Sequence, residues 1–406
     1  MTSAKRTPRA LVVGLGIAGT AAALRLRQIG WEPVVIERAP GRRSGGYFVG
    51  VFPTGVATAE RLGVLDRISN RADPTSAVYE IDRAGHRHKG MGYDSLPGAP
   101  RMVLRGDIES ALFDSLPPDL EIRYNTVPVD IRQDATGARV TLRDTAHDTE
   151  TTEDFDLVIG ADGMRSTVRR LVFGPDANHM HALNYMIAVC LMREQVAGFR
   201  PQDGLVLAEP GRSAWTFPFV NREPGLLFSW RTEDIDAEFR RPPIESVRAA
   251  FGPEPTGPIL GQLMEQFEKA DDFLFDSVHQ VKLKQWHHGR VVLLGDAGWC
   301  LTLYSGMGAS TAMAGAELLG TMLQRHPDDL DRALDDWNRR LAPNIAHQHA
   351  TVQQGRSLFT PHDRPEHLRR TAMMRLMHAP LVGPMLTKQM SKNQDFHMKS
   401  VDIAAP

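Results

Sequence analysis

The chain has 406 residues, a formal net charge of −2, and 42% hydrophobic and 24% charged residues. That length can bury a sizeable core and build more than one domain. The near-zero charge gives no overall case for nucleic acid or for an anionic membrane. Only two cysteines occur, Cys190 and Cys300, far apart in sequence. A disulfide framework is therefore not expected, and a reducing, cytoplasmic setting is. No apolar run is long enough to span a bilayer, so stable membrane insertion is not expected.

The first informative stretch is Arg9 to Glu37. An apolar run, Ala10 to Val13, precedes a Gly-x-Gly-x-x-Gly made by Gly14, Gly16 and Gly19. A helix-forming run through Ala18 continues to Ile29 and stops at Gly30. A second apolar run, Val34 to Ile36, ends on Glu37. Strand, glycine turn, helix, strand and acid spell a dinucleotide-binding βαβ unit. Gly14 lets the chain turn off the strand, Gly16 lets a pyrophosphate approach the backbone, and Gly19 lets the helix pack close. The phosphates would sit on the helix N-terminus, and Glu37 would accept from a ribose diol. Lys5, Arg6 and Arg9 before an apolar run also suit a signal peptide, but the glycines and the lack of a cleavage-like site count against it.

Further along, after Arg38, the two loop arginines Arg42 and Arg43 either clamp phosphates or make a solvated basic loop. Tyr47 to Phe52 reads as a strand and Gly55 to Leu65 as a helix. Short strands are expected at Val78–Ile81 and Met102–Leu104, and Arg105 opens a helix. Leu120 to Tyr124, Val127 to Gln133 and Ala138 to Leu142 read as antiparallel strands. Phe155 to Ile159 reads as one buried strand, ending in Gly160-Ala161-Asp162-Gly163. Leu171 to Gln285 is rich in strand-like runs and aromatics, Trp215 and Phe217 among them, with a helix near Ile244–Phe251. The aromatics are either core or one wall of a substrate pocket. Val291 to Leu294 is another buried strand, followed by Gly295-Asp296-Ala297-Gly298. A loop then leads to Gly306-Met307-Gly308 and a small-residue helix. From Asp328 onward the chain reads as mainly helical.

Three strand ends carrying GxGxxG, Gly-Ala-Asp-Gly and Gly-Asp-Ala in that order, with Arg105 opening its helix, resemble the single-component, class A FAD-dependent aromatic hydroxylases. These share the para-hydroxybenzoate hydroxylase fold. The Gly45-Gly46-Tyr47 segment resembles the tetracycline-modifying and polyketide hydroxylase branch. The resemblance implies an α/β fold with a Rossmann-like FAD-binding domain, an inserted, mainly antiparallel substrate domain and a C-terminal helical segment. The FAD-binding domain would take residues 1–75, 101–172 and 286–328, the substrate domain 76–100 and 173–285, and the C-terminal helices 329–406. Gly14, Gly16, Ala18 and Gly19 would hold the pyrophosphate, Glu37 and Arg38 the adenosine part, and Arg105 the pyrophosphate or ribityl chain. Asp162 would serve FAD and transient nicotinamide docking, and Asp296 the ribityl hydroxyls. Gly306, Met307 and Gly308, at a helix N-terminus, would serve the flavin pyrimidine edge, whose reduced form is anionic. Tyr47, Trp215, Phe217, Trp299 and Tyr304 are the candidate pocket residues. No acid or base is singled out, since the flavin carries the chemistry.

The implied reaction uses NAD(P)H and O2 to oxygenate an aromatic or polyketide-like molecule through oxygen added at flavin C4a. Reduction of an unsaturated, isoprenoid-like substrate on the same fold, or flavin binding without turnover, are the alternatives. Monomer and homodimer both remain open. One nucleotide fingerprint and no Cys-x-x-Cys exclude a disulfide reductase. The family's third motif commonly reads Gly-Asp-Ala-Ala-His with a proline four residues on; here Trp299 and Leu303 stand at those places. Val49 stands where the tetracycline-acting branch has an acid, so tetracyclines themselves are not implied. The pairs His86/His88, His287/His288 and His347/His349 lack matched acids or cysteines and read as surface histidines, not metal ligands. Cys300 reads as a small pocket filler. No Gly-x-Ser-x-Gly elbow follows a strand. Leu368 to Met377 is a basic amphipathic stretch that either touches a membrane or, the preferred reading, braces the two domains.

Overall fold

Strand register explains why three distant motifs meet. In this computed structural model, which describes residues 6–42, 46–92, 100–379, 382–390 and 393–405, the first sheet is six-stranded. Its order is His287–His288, Val291–Leu293, Leu157–Gly160, Arg9–Val13, Glu32–Ile36 and Glu121–Arg123. All neighbours run parallel except the first pair. Val13 pairs with both Ile36 and Gly160, and Gly160 pairs with Leu293. The chain therefore leaves the sheet at Gly14, Ala161 and Leu294 along one edge, where open α/β sheets bind ligands. Arg43 and Gly45, named above, lie outside the described residues.

Both faces of this sheet are covered, which is why its strands read as unbroken apolar runs. Ala10, Val12, Val35, Ile159 and Val292 pack with Ile17–Gln28 and Gly308–Arg325. Leu11, Val13, Val34, Ile36 and Leu293 pack on a three-stranded antiparallel meander, Thr126–Gln133, Ala138–Asp144 and Thr149–Phe155. The segment expected as one strand from Phe155 to Ile159 is thus split between two sheets. Asp156 makes the corner, accepting 2.7 Å bonds from the Arg9 N–H and the Arg6 guanidinium. Likewise, Glu121–Arg123 belongs to the parallel sheet and not to the meander. The helix expected at Gly55–Leu65 runs from Pro53 to Arg61, with proline in its first turn as helix geometry favours.

A seven-stranded sheet stands beside the first, in the order Phe273–Val281, Met180–Leu191, Arg222–Arg231, Arg212–Phe219, Gly204–Glu209, Val78–Ile81 and Arg87–Lys89. Alternation divides its residues. Met186, Ala188, Cys190, Leu226, Phe228 and Trp230 meet the helices Pro243–Phe251 and Gly257–Glu268, the second of which sequence reading missed. Val189, Phe217, Phe219 and Leu227 share the opposite face with Leu104 and the half-buried Phe48. The C-terminal helices are Leu330–Phe359, Arg364–Met377, Gly383–Met390 and Gln394–Ser400. Among the described residues no helix is long and apolar enough to cross a membrane.

Candidate active site

At the first strand end, Gly14 has φ +106°, and a Cβ there would lie 2.5 Å from the Ala161 carbonyl oxygen. A Cβ on Gly19 would lie 1.9 Å from the Gly14 carbonyl oxygen, so helix and turn pack backbone to backbone. Gly16 is different: a Cβ there would approach only an Arg105 guanidinium nitrogen, at 3.7 Å. Gly16 is also the N-cap of Ile17–Gln28, and no side chain caps that helix. Its free N–H groups border an open cleft, a ready anion site. Glu37 accepts from the Leu15 N–H at 3.0 Å and the Ala39 N–H at 2.9 Å, tying the second strand to the glycine turn. A carboxylate has lone pairs left for a ribose diol. Arg38 lines the same rim. Arg42 lines the cleft too, its guanidinium 3.9 Å over the Phe113 ring and donating to Ser110 Oγ.

At the second end, Asp162 accepts from Ser166 Oγ at 2.5 Å and from the Thr167 and Val168 N–H groups at 2.6 and 3.2 Å. Burial raises its pKa and these bonds oppose the rise. Its carboxylate is engaged in holding the next helix, and its turn forms cleft wall. Arg169, fully buried, was not singled out as a site residue. Its guanidinium donates to the Ala297 and Met164 carbonyls at 2.9 and 2.7 Å and to Asp176 at 2.5 Å, joining the second motif to the third.

Gly295 has φ +62°, and a Cβ there would lie 2.9 Å from that of Ala18. The next residue, Asp296, is exposed to the cleft it lines but crowded by the protein around it. That crowding raises the Asp296 pKa against the pull of Arg105. Burial also works against the Arg105 charge, but Tyr47, Glu109 and Asp296 more than offset it. Arg105 lies 3.0 Å from Glu109 and 3.4 Å from the Tyr47 hydroxyl. Beyond the third motif, Thr302 adopts φ +67°, held by the Tyr304 N–H on its hydroxyl and Ser305 Oγ on its carbonyl. Gly306, at φ +70°, faces the Phe52 ring, which a Cβ would meet at 3.0 Å. Gly308–Arg325 then starts with Met307 as N-cap and, again, no side-chain cap. Met307 is buried in the core and its N–H donates to Ser305 Oγ at 3.1 Å, so Gly306 and Gly308 line the cleft and Met307 does not.

Gly14, Gly16, Glu37, Arg105, Asp162, Asp296, Gly306 and Gly308 border one cleft of about 1530 Å³. Pockets for a single drug-sized ligand run to roughly 1,000 Å³, so a second molecule fits beside a dinucleotide. The part away from the glycine turn is walled by Ile187, Val189, Phe217, Leu227, Leu303 and Phe359. Phe48 stacks on Phe217 at 4.5 Å and 8°. Of the candidate pocket residues, Tyr47, Phe217 and Tyr304 line the cleft and Trp215 and Trp299 do not. Trp215 stands behind Phe359, 4.6 Å between rings, and donates to its carbonyl at 3.2 Å. Trp299 is 1% exposed, packed 5.1 Å from Trp286 and 6.0 Å from Trp337. Gly315 admits it: a Cβ there would lie 2.9 Å from the Trp299 ring. Tyr304 donates to or accepts from Ser229 Oγ at 2.9 Å, and burial keeps its phenol neutral. Phe48 and Phe359 are wall residues that sequence reading missed; neither sits in a motif. Cys300 lines the cleft with its thiol beside Asp296. His287, expected at the surface, is buried against Asp335 at 3.1 Å. Among the described residues no three metal-binding side chains cluster.

The FAD binding domain family matches residues 7–330. A flavin-dependent monooxygenase of Legionella longbeachae is 29% identical over 349 residues, covering 82% of this chain and 84% of the relative. A monooxygenase of Cercospora beticola is 29% identical over 357 residues, 83% of each. The fold is shared with tetracycline destructase Tet(51), TM-score 0.74 at 24% identity, covering 96% of this chain and 100% of that one. It is shared too with Klebsiella pneumoniae HpxO complexed with FAD and uric acid, TM-score 0.75 at 20% identity, covering 96% and 97%. The chain belongs to the FAD binding domain family and, within it, is a class A FAD-dependent monooxygenase.

Proposed function

We propose that the chain uses NAD(P)H and O2 to oxygenate an aromatic or polyketide-like small molecule held against the apolar half of the cleft. The observation that carries this reading is the junction, in one cleft, of two uncapped helix N-termini and a ring-lined apolar wall. The residues fit FAD. Gly16 leaves the space that a phosphate needs, and the helix behind it favours the charge. Glu37 and Arg38 suit the adenosine part, Arg105 the pyrophosphate, and Asp296 the ribityl hydroxyls. The Gly306 and Met307 N–H groups are already given to the Leu303 carbonyl and Ser305 Oγ, so Gly308 and the first turn after it offer the N–H groups where negative charge grows on reduction. The chemistry that bound FAD supplies is uptake of two electrons from NAD(P)H and activation of O2, one oxygen passing to substrate and one to water. The chain's own part is to hold, orient and keep dry. Phe217, Leu303 and Phe359 exclude water, and Tyr304 holds a neutral phenol at the wall.

Purified protein should be yellow, substrate should accelerate NAD(P)H oxidation, and oxygen-18 from O2 should appear in product. Colourless protein that fails to take up FAD would overturn the reading. Product formed without oxygen would replace it with reduction of an unsaturated substrate.

A further inference from the structure

The basic amphipathic helix Arg364–Met377 has two unlike sides. Its inner side braces the substrate sheet. Arg370, its side chain 4% exposed, donates to both Glu80 oxygens at 2.8 and 2.7 Å, and Met374 is buried. Glu366 is held in the same way by Arg356, at 2.8 and 2.9 Å. Among the described residues the outer side is exposed and shows no such ion pair. Leu368 is 67% exposed, Leu376 50%, and Met385 on the following helix 71%. Nine large hydrophobics are exposed among the described residues, and five of them fall between residues 368 and 385. They are not scattered singly, as ordinary surface apolar residues are.

Charge points the same way. Residues 364–388 hold Arg364, Arg369, Arg370, Arg375 and Lys388 against one acid, Glu366, in a chain of net charge −2. Arg370 and Glu366 are taken up by the inner contacts, which leaves Arg364, Arg369 and Arg375 exposed beside the leucines. Arg369 and Met373 also line the cleft, so the patch borders its mouth.

We propose that this face docks on an anionic lipid surface and presents the mouth of the cleft to it. Exposed leucines ringed by arginines are what an interfacial helix needs, apolar area to bury and charge to meet lipid headgroups. A second copy fits less well, because a two-fold contact lays the patch on itself, basic on basic. Only the purpose of docking, collecting an apolar substrate from lipid, rests on the proposed reaction; lipid binding itself is read without turnover.

The test is flotation of the FAD-loaded full chain with vesicles of phosphatidylcholine and phosphatidylglycerol in equal parts, against phosphatidylcholine alone. The protein should float with the anionic vesicles at low salt and fall off at high salt. Arg375→Gln should weaken binding about fivefold, the contribution of one arginine near a charged surface. The pair Leu368→Gln and Leu376→Gln should abolish it, with bound FAD and vesicle-free NAD(P)H oxidation unchanged. No flotation of the natural chain overturns the proposal. So does flotation that ignores these variants, or a solution dimer that the leucine pair dissolves. Flotation that persists without any substrate-linked NAD(P)H oxidation would count against the reaction and leave the docking standing.

Discussion

Gly16 and Gly19 lie one helical turn apart, and a methyl group on each should fail differently. On Gly19 the new Cβ falls 1.9 Å from the Gly14 carbonyl oxygen, 1.1 Å inside the 3.0 Å that Cβ contacts tolerate. Helix Ile17–Gln28 must retreat from the sheet, and its inner residues Ala18, Ala21, Ala22 and Leu26 all lie in the core. Overpacking of this kind costs about 1–3 kcal/mol, so Gly19→Ala apoprotein should melt several degrees lower. On Gly16 the Cβ meets nothing closer than Arg105 at 3.7 Å, and φ −81° suits alanine. Gly16→Ala apoprotein should therefore melt as the natural chain does. What the methyl fills is the approach of the phosphate. Losing one hydrogen bond to a charged group costs about 1.5–3 kcal/mol, which is roughly 10- to 150-fold in Kd for FAD. Calorimetry of the two apoproteins and quenching of flavin fluorescence on FAD titration separate the effects. Natural FAD affinity in Gly16→Ala, or an unshifted melt in Gly19→Ala, would refute the assignment of the turn.

Three further outcomes are expected. Asp296→Ala should emerge largely without FAD while folding normally, since its carboxylate faces the cleft; retention of FAD on gel filtration would remove the ribityl role. Trp299→Ala should cost stability, about 3–5 kcal/mol for a buried tryptophan, and leave KM alone, whereas Phe217→Ala should raise KM; denaturant melts and steady-state kinetics on one substrate distinguish them. The Arg356 hydrogen bond holds Glu366 down at about 2 in the fold, against 4.5 when free. Its stabilising contribution is thus complete above pH 4.5 and fades as pH falls towards 2. Limited proteolysis with an acid-active protease should find Arg364–Met377 loosening in that window, and Glu366→Gln should remove the pH dependence.

The strand-end motifs were legible because each depends on local chemistry: a turn that only glycine makes, an acid at a strand end, a helix start without a cap. The pocket was not, because its wall is assembled from distant stretches. Trp215 and Phe217 alternate on one strand and share a face, as the period of two requires. What separates them is Phe359, the last residue of a 30-residue helix, which covers Trp215 and leaves Phe217 to the cleft. No periodicity in residues 212–219 carries that information. Thr149–Phe155 was missed for the opposite reason. Its first six residues are all Thr, Glu or Asp, and only pairing with Ala138–Asp144 makes it a strand. The basic amphipathic stretch Leu368 to Met377 was legible in spite of the low overall charge, because net charge averages over a surface that partners meet locally.

The two departures from the family's third motif can now be judged by where they fall. Trp299 lies under the sheet edge, against Trp286 and Trp337, and its indole donates to Thr311 at 3.3 Å. It secures the start of helix Gly308–Arg325 from below and takes no part in the cleft. Leu303 lies in the wall, beside Tyr304 and Phe359. Neither position bears on the register of Val13, Gly160 and Leu293, which sets the three strand ends side by side. Nor do they touch Arg169, which locks the second end to the third through the Ala297 carbonyl. The strand-end part of the proposed cofactor cradle is therefore insulated from both changes, whereas both adjoin the start of helix Gly308–Arg325. On the proposed reading, Leu303 shapes the apolar space in front of it, and so bears on the choice of substrate more than on the holding of FAD.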